Sequence, residues 1–268
     1  MAVASLPMYD MPEIESGLDD LWAGYLRHFR RHGLDDTPRG LLHRRPLDDL
    51  WRNPALWFSQ CCGYDVMYGH AGRLVPVATP HFDAPGCAGR DYSSIVVVAE
   101  AAPARTLADL RGTVVAINGY ESHSGMNALR ALVAPLHRQG RFFAGVKVSG
   151  RHVDSLEMVR SGAADVAAID CVTMALLARY RPAALDGIRR IAETARVPGI
   201  PYVTRAERGE DFVERLRAGL ADAFADAALA AVREALLLKA IEPTSVADYA
   251  PVAAAAAFAA DSGYPELN

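Results

Sequence analysis

The sequence predicts a two-lobed α/β protein with mixed, mostly parallel sheets flanked by helices and a ligand cleft between the lobes. Three observations lead there. The 268 residues exceed the usual single-domain size. Short apolar, β-branched runs alternate with helical segments along the chain, and the alternation occurs in two series with no low-complexity linker between them.

The first series opens with Met1–Tyr9 as a strand. Ile14, Leu18, Leu21, Trp22, Tyr25, Leu26 and Phe29 then repeat at the spacing of a helix with one buried face. Residues 39–44 read as a second strand, 46–52 as a short helix opened by Pro46, and 55–59 and 74–79 as further strands. The second series begins at Ser94, with strands over 95–99, 113–117, 145–148, 165–169 and 188–193. Helices over 107–111, 126–136, 153–160 and 172–180 separate them. After Pro198-Gly-Ile-Pro201 the Ala/Leu/Arg/Glu-rich composition predicts long helices over 210–239 and 245–260. The chain is therefore expected to cross between lobes twice, near 92–94 and 196–202. Lobe one would comprise residues 1–93 and 200–268, and lobe two residues 94–199. A cleft between such lobes is walled by strand C-termini and helix N-termini, where small ligands sit in open α/β sheets.

Composition narrows the function. A hydrophobic fraction of 51%, a charged fraction of 22% and a net charge of -4 describe a globular chain without the basic surplus a nucleic-acid backbone requires. No apolar run approaches the ~20 residues of a membrane span. The cysteines at 61, 62, 87 and 171 have neither zinc-site spacing nor the density of a disulfide scaffold, so no metal site is expected and they leave the compartment open. The N-terminus lacks the basic and apolar regions of an export signal; a complete chain would be cytoplasmic, a processed one exported.

Three strand-to-helix junctions carry the chemistry. The first, Gly119-Tyr-Glu-Ser122-His123-Ser124-Gly125, sets two hydroxyls and an imidazole at a helix start, where unpaired N–H groups and the helix dipole favour an anion. The second, Ser149-Gly150-Arg151-His152, puts His152 at the opening of another helix. In the third, Asp170 ends a strand and precedes a helix. Taken singly, each is also what an ordinary helix cap looks like. Three together in one lobe point to an oxyanion site.

These junctions lie within a longer resemblance. Tyr92-Ser93-Ser94-Ile-Val-Val-Val, Leu110-Arg-Gly112, Glu121-Ser-His-Ser-Gly125, Gly150-x-His152-x-x-Ser155 and Gly162-Ala-Ala-Asp-Val-Ala-Ala-Ile-Asp170 together resemble the phosphate/phosphite/phosphonate-binding proteins of ABC importers, which have the type II periplasmic-binding-protein fold. The resemblance covers about residues 1–204 and is strongest over 92–170. It implies a monomeric, periplasmic solute-binding protein that captures a small phosphorus oxyanion (phosphonate, phosphite or phosphate) for an ABC permease, without a cofactor. It implies that Ser122, His123, Ser124 and His152 hold the phosphorus oxygens, that Tyr9 and Tyr92 close the pocket, and that Gln60 faces it. Asp170 would meet an amino substituent or a protonated oxygen, since a carboxylate repels an anion unless a proton or cation lies between them. Two departures stand out: His123 replaces a usual Ser or Thr, and Arg196 adds a positive charge where an acidic or small polar contact is usual.

The principal alternative is an enzyme on the same architecture, as in thiamine-pyrimidine and menaquinone biosynthesis. His123, His152, Asp170 and Cys61 would then supply base, acid and nucleophile. Another is a cytoplasmic ligand sensor, although no basic helix-turn-helix segment is evident. The chain has no G-x-S-x-G elbow and no H-E-x-x-H spacing, so binding without reaction is the expectation.

Overall fold

In the computed structural model, which describes residues 2–268, the opening strand shortens to β1 (Val3–Ala4). Pro7 begins a tight 3-10 turn over Pro7–Tyr9, because proline has no N–H to continue a strand ladder; Met1 lies outside the described residues. Helix α1 (Glu15–Arg31) buries Leu18, Leu21, Trp22, Tyr25, Leu26 and Phe29, as their spacing predicts. The strand expected over 39–44 reduces to one bridge between Leu41 and Ala4, since Arg44 at φ 49° leaves the extended conformation. Next come α2 (Leu47–Arg52), β2 (Leu56–Gln60) and β3 (Leu74–Phe82).

The middle of the chain follows the predicted alternation closely. It runs through β4 (Asp91–Tyr92), β5 (Ser94–Ala99), β6 (Val114–Ile117), α3 (Ala128–Val133), β7 (Gly145–Val148), α4 (His152–Arg160), β8 (Val166–Asp170), α5 (Cys171–Tyr180), β9 (Ile188–Glu193) and β10 (Val197–Pro198). β11 (Tyr202–Arg205) and α6 (Glu210–Ala225) follow. The long helix expected to reach residue 239 stops at Ala225, where Asp226 caps a new turn by accepting from the Ala228 N–H at 2.9 Å. It resumes only as α7 (Ala230–Ala235). Leu237 then takes φ 60°, and β12 (Leu238–Pro243) pairs with β3; the ladder available on β3 overrides the helical propensity of Leu and Lys. The last element is α8 (Ala250–Asp261).

The chain divides into two units. Unit 1 comprises Met1–Asp83 and Pro198–Tyr249, and unit 2 comprises Ala84–Val197 and Ala250–Asn268. The chain thus passes between units three times where two passages were expected, and both 84–93 and 250–268 belong with the middle segment. The C-terminus is held there by hydrogen bonds within unit 2. Asn127 donates to the Val252 carbonyl at 3.0 Å, Arg130 donates to the Pro265 carbonyl, and the Phe142 and Phe143 amides donate to the Asn268 carbonyl at 2.8 and 2.9 Å.

Besides the two-stranded β10-β4 pair, the described residues form two five-stranded sheets, both mixed. Unit 1 has the order β1-β2-β11-β3-β12 and unit 2 the order β7-β6-β8-β5-β9. Parallel pairing is confined to β1 with β2 and to β6 with β7 and β8. The remaining pairs in these two sheets, made by β5, β11 and β12, are antiparallel. The expected predominance of parallel strands therefore holds only in the β7-β6-β8 part of unit 2, because a strand entering a sheet from the opposite end must run against its neighbours.

Unit 1 is cored by aromatic rings. Trp22 stands edge-on to Trp57 at 6.2 Å between centroids, and Phe29 meets Phe58 at 5.7 Å. Gly219 of α6 lets that helix close on α1: a β-carbon at this position would lie 2.6 Å from a Phe29 ring carbon and 3.3 Å from its Cα. Gly219→Ala is therefore expected to lower the unfolding free energy by about 1 to 3 kcal/mol through overpacking, measured by urea denaturation. An unchanged midpoint would show that α1 and α6 separate without cost.

Candidate functional site

Three adjacent parallel strands build the candidate site in unit 2. Ile117 of β6 is in register with Val148 of β7, and Ala116 with Ala167 of β8, so the chain leaves all three strands at the same edge of the sheet. It then enters a helical segment three times, at Ser122, Arg151 and Asp170. Three helical starts, with their positive dipole ends, are thereby gathered at one edge of the sheet.

After β6 the chain makes a π-helical turn, His123–Asn127, before α3 begins. Such wide turns concentrate at functional sites. Ser122 caps it, its Oγ accepting from the Gly125 N–H at 3.0 Å while the hydroxyl hydrogen stays available to donate. Gly125 is the tight point. A β-carbon there would lie 1.9 Å from Asn118 Oδ1, 3.0 Å from Asn118 Cγ and 3.3 Å from the His152 ring. Asn118 Oδ1 is buried and makes no hydrogen bond, so it is held over the glycine by packing alone. Gly125→Ala should displace Asn118 and His152 together, lowering thermal stability and weakening anion binding at least tenfold in the same variant. Wild-type affinity in Gly125→Ala, measured by calorimetry, would mean that this close approach plays no part in the site.

His152, at the first position of α4, brings the junctions into contact. Its Nε2 lies 2.8 Å from Ser124 Oγ and 3.6 Å from Asp170 Oδ2. Burial holds the imidazole pKa below its ordinary value, outweighing the Asp170 carboxylate and the Ala168 backbone, which both favour the proton. Nδ1 meets no acceptor in hydrogen-bond geometry. Asp170 is committed to capping α5. Its Oδ1 accepts from the Val172 and Thr173 amides, each at 2.9 Å, and its Oδ2 accepts from the Thr173 hydroxyl at 2.5 Å.

His123 is only 2% exposed, and burial pushes its pKa down to about 4. Asn127 fixes its tautomer. The Asn127 amide oxygen accepts from Arg130 at 2.9 Å, and its NH2 group donates both to the Val252 carbonyl and to His123 Nδ1, the latter at 3.1 Å. With Nδ1 accepting, the ring proton sits on Nε2, so His123 is a neutral N–H donor as a serine hydroxyl is a neutral O–H donor. An unfolded histidine titrates near 6.5, above the folded value. The unfolded chain therefore binds more protons between these two pKa values, and the stability this group contributes is present above pH 6.5 and lost as pH falls toward 4. Thermal melts from pH 7.5 to 4 should show a decline that is reduced in His123→Gln, by on the order of 3 kcal/mol at the acid end. Parallel curves for the two proteins would contradict the buried neutral ring.

The other predicted residues divide between the units. Tyr92 of unit 2 is buried, with its ring centroid 6.4 Å from that of His123. Arg196 is exposed and engaged elsewhere: its Nε donates to the Gly86 carbonyl at 3.1 Å, and its guanidinium lies 3.6 Å from Glu193. Glu193 also accepts from the Ser93 hydroxyl at 2.7 Å, so the positive charge expected of Arg196 is balanced locally. In unit 1, Tyr9 is buried edge-on to Phe82 at 5.2 Å, and Gln60 is buried at the end of β2, in register with Tyr202. Cys61 is fully buried and its thiol is pushed well up by desolvation, the opposite of an activated nucleophile.

Asn118, Asn127 and Thr173 were not singled out from sequence, and Ser149 and Ser155, whose hydroxyls are 2.7 Å apart, stood in the motifs around His152 without a role. Asn127 stands four residues after His123 on the same helical turn, a spacing that could have marked it. Among the described residues no group of three or more His, Cys, Asp or Glu side chains could hold a metal ion, and no helix is long and apolar enough to cross a membrane.

Residues 62–249 match the family model described as ABC transporter, phosphonate, periplasmic substrate-binding protein. The search of curated proteins found no match. Among solved structures, the chain is similar to a binding protein component of an ABC phosphonate transporter from Pseudomonas aeruginosa, with 14% identity, 97% of this chain and 87% of that one covered, and a TM-score of 0.76. It is similar to PhnD1 from Prochlorococcus marinus in complex with methylphosphonate, with 13% identity, coverage of 96% and 97%, and a TM-score of 0.70. A Xanthomonas citri protein bound to ATP matches with 17% identity, 97% coverage of both chains and a TM-score of 0.73.

Proposed function

Because the chain belongs to the phosphonate-binding family of ABC transporter periplasmic substrate-binding proteins, we propose that it acts as a periplasmic monomer and holds the phosphorus oxygens of a phosphonate at the Ser122–Ser124 turn and His152. The observation that carries this is the meeting of Ser124 and His152, from two different helix starts, at 2.8 Å. Neutral donors dominate the cluster: two serine hydroxyls, His123 through Nε2, and His152. The Asp170 carboxylate, 3.6 Å from His152, penalises a fully ionised ligand and favours one that carries a proton or an ammonium, as a phosphonate monoanion or an aminoalkylphosphonate does. Tyr92 closes on the same group from beside His123, and Tyr9 and Gln60 are further ligand contacts supported by the family likeness. Arg196, held by the Gly86 carbonyl and Glu193, is given no direct ligand contact.

Binding without reaction is supported by the arrangement around His152. Ser124 and Asp170 both approach Nε2, whereas a nucleophilic triad needs the carboxylate on Nδ1 and the hydroxyl on Nε2. The test is calorimetry with methylphosphonate, 2-aminoethylphosphonate, phosphite and phosphate on the wild type, Ser124→Ala and His152→Ala. The phosphonates should bind more tightly than phosphate, and each substitution should weaken them by about 5- to 150-fold, the equivalent of 1 to 3 kcal/mol per lost partner. Unchanged affinity in both variants removes these residues from the site, and a preference for phosphate removes the phosphonate assignment.

A further inference from the structure

Cys87 and Cys171 are 84 residues apart in sequence, yet their sulfur atoms lie 3.4 Å apart. We propose that these two thiols form a redox pair that closes to a disulfide in an oxidising compartment, tying the Ala84–Tyr92 segment to the first turn of α5. Both belong to unit 2, so closure needs no rearrangement of one unit against the other. The backbone on either side is already in place. Cys171 is the first residue of α5, and its amide donates to the Ser93 carbonyl at 3.0 Å. Gly86, immediately before Cys87, is pressed so closely on this turn that a β-carbon there would sit 2.7 Å from Cys171 Cβ and 2.8 Å from Ser93 Oγ. The distance left to a bond of ~2.05 Å is within what side-chain rotation supplies.

The surroundings suit the exchange chemistry. Cys87 is partly exposed, which gives a small oxidant access. The thiol–thiol contact holds the Cys171 thiol below its ordinary pKa against burial and the Asp170 charge, and a helix start favours a thiolate further. With a glutathione-type disulfide as oxidant, the thiolate formed when the pair loses its first proton attacks one sulfur of the reagent and expels one reagent thiolate. The remaining cysteine, deprotonated in turn, attacks the protein sulfur of the mixed disulfide and expels the second. Two protein thiols are oxidised, one reagent disulfide is reduced to two thiols, and the two protons pass to the leaving thiolates. Cys61 and Cys62 lack this geometry, since sequence-adjacent cysteines bridge only with strain. The cross-link would fix Tyr92, a few residues after Cys87, and Asp170, next to Cys171, relative to one another.

The full chain is incubated with oxidised glutathione, denatured, alkylated and peptide-mapped. The expected product is a Cys87–Cys171 peptide lighter by two hydrogens, with Cys61 and Cys62 alkylated. The oxidised protein should melt about 5 °C or more above the dithiothreitol-reduced protein, as closing a long loop predicts. This difference should vanish in Cys87→Ser and persist in the Cys61→Ser/Cys62→Ser double variant. Alkylation of all four cysteines, or a glutathione adduct on Cys87 that never resolves, overturns the proposal. Because the wild-type map decides this alone, the outcome stands even where Cys87→Ser fails to fold, and it is independent of which ligand the protein binds.

Discussion

The candidate site rests on the hydrogen bond between Ser124 and His152, which closes 28 residues of chain into one constellation. Its geometry is set by the sheet. β6 and β7 are parallel neighbours in register, so the two segments leave the sheet side by side and their first helical turns meet. An antiparallel pair would have placed these helix starts at opposite ends of the sheet. The parallel patch in unit 2 is small, but it coincides with the group of residues that need to converge.

Around that contact the protein uses burial to keep its donors neutral. His123 and His152 both lose basicity to desolvation, and the Asn127 amide decides which nitrogen of His123 holds the proton. Asn127 is itself tied to α8 through Val252, and Arg130 links it to Pro265. The C-terminal segment thus supports the turn after β6 through a continuous chain of hydrogen bonds within unit 2. These hydrogen bonds tie 250–268 to the middle of the chain, although Arg130 Nε is itself buried without a hydrogen-bond partner.

The sequence made the middle of the fold legible because its strands are short, apolar and separated by turn-forming residues; β5, β6, β7, β8 and β9 fall within a residue or so of their expected bounds. It misled where composition and pairing disagree. Leu236-Leu-Leu-Lys-Ala-Ile looks helical by propensity, and only the free edge of β3 turns Leu238–Pro243 into a strand. Grouping of α8 was hidden for a related reason: an Ala-rich helix carries little directional pattern, and its partners are hydrogen bonds from Asn127 and Arg130, more than a hundred residues earlier. Within the site, Ser122, Ser124, His152 and Asp170 could be found because each sits at a strand-to-helix junction. Asn118 and the Cys87–Cys171 approach could not, because both depend on side chains meeting across segments whose spacing no local pattern records.

Asp170 shows why a correct position does not by itself fix a role. Both of its carboxylate oxygens accept hydrogen bonds from the first turn of α5, so the ordinary N-cap that its position suggested is present. Yet the same carboxylate stands 3.6 Å from His152, close enough for its charge to act on anything His152 holds. Capping a helix and the proposed contact with a ligand are compatible here, because the cap bonds hold the carboxylate in a fixed position beside His152. The helix thereby fixes a carboxylate beside a cluster of hydroxyl and imidazole groups. In the proposed role, such a combination would discriminate by the protonation and amino substitution of the incoming anion rather than by its total charge.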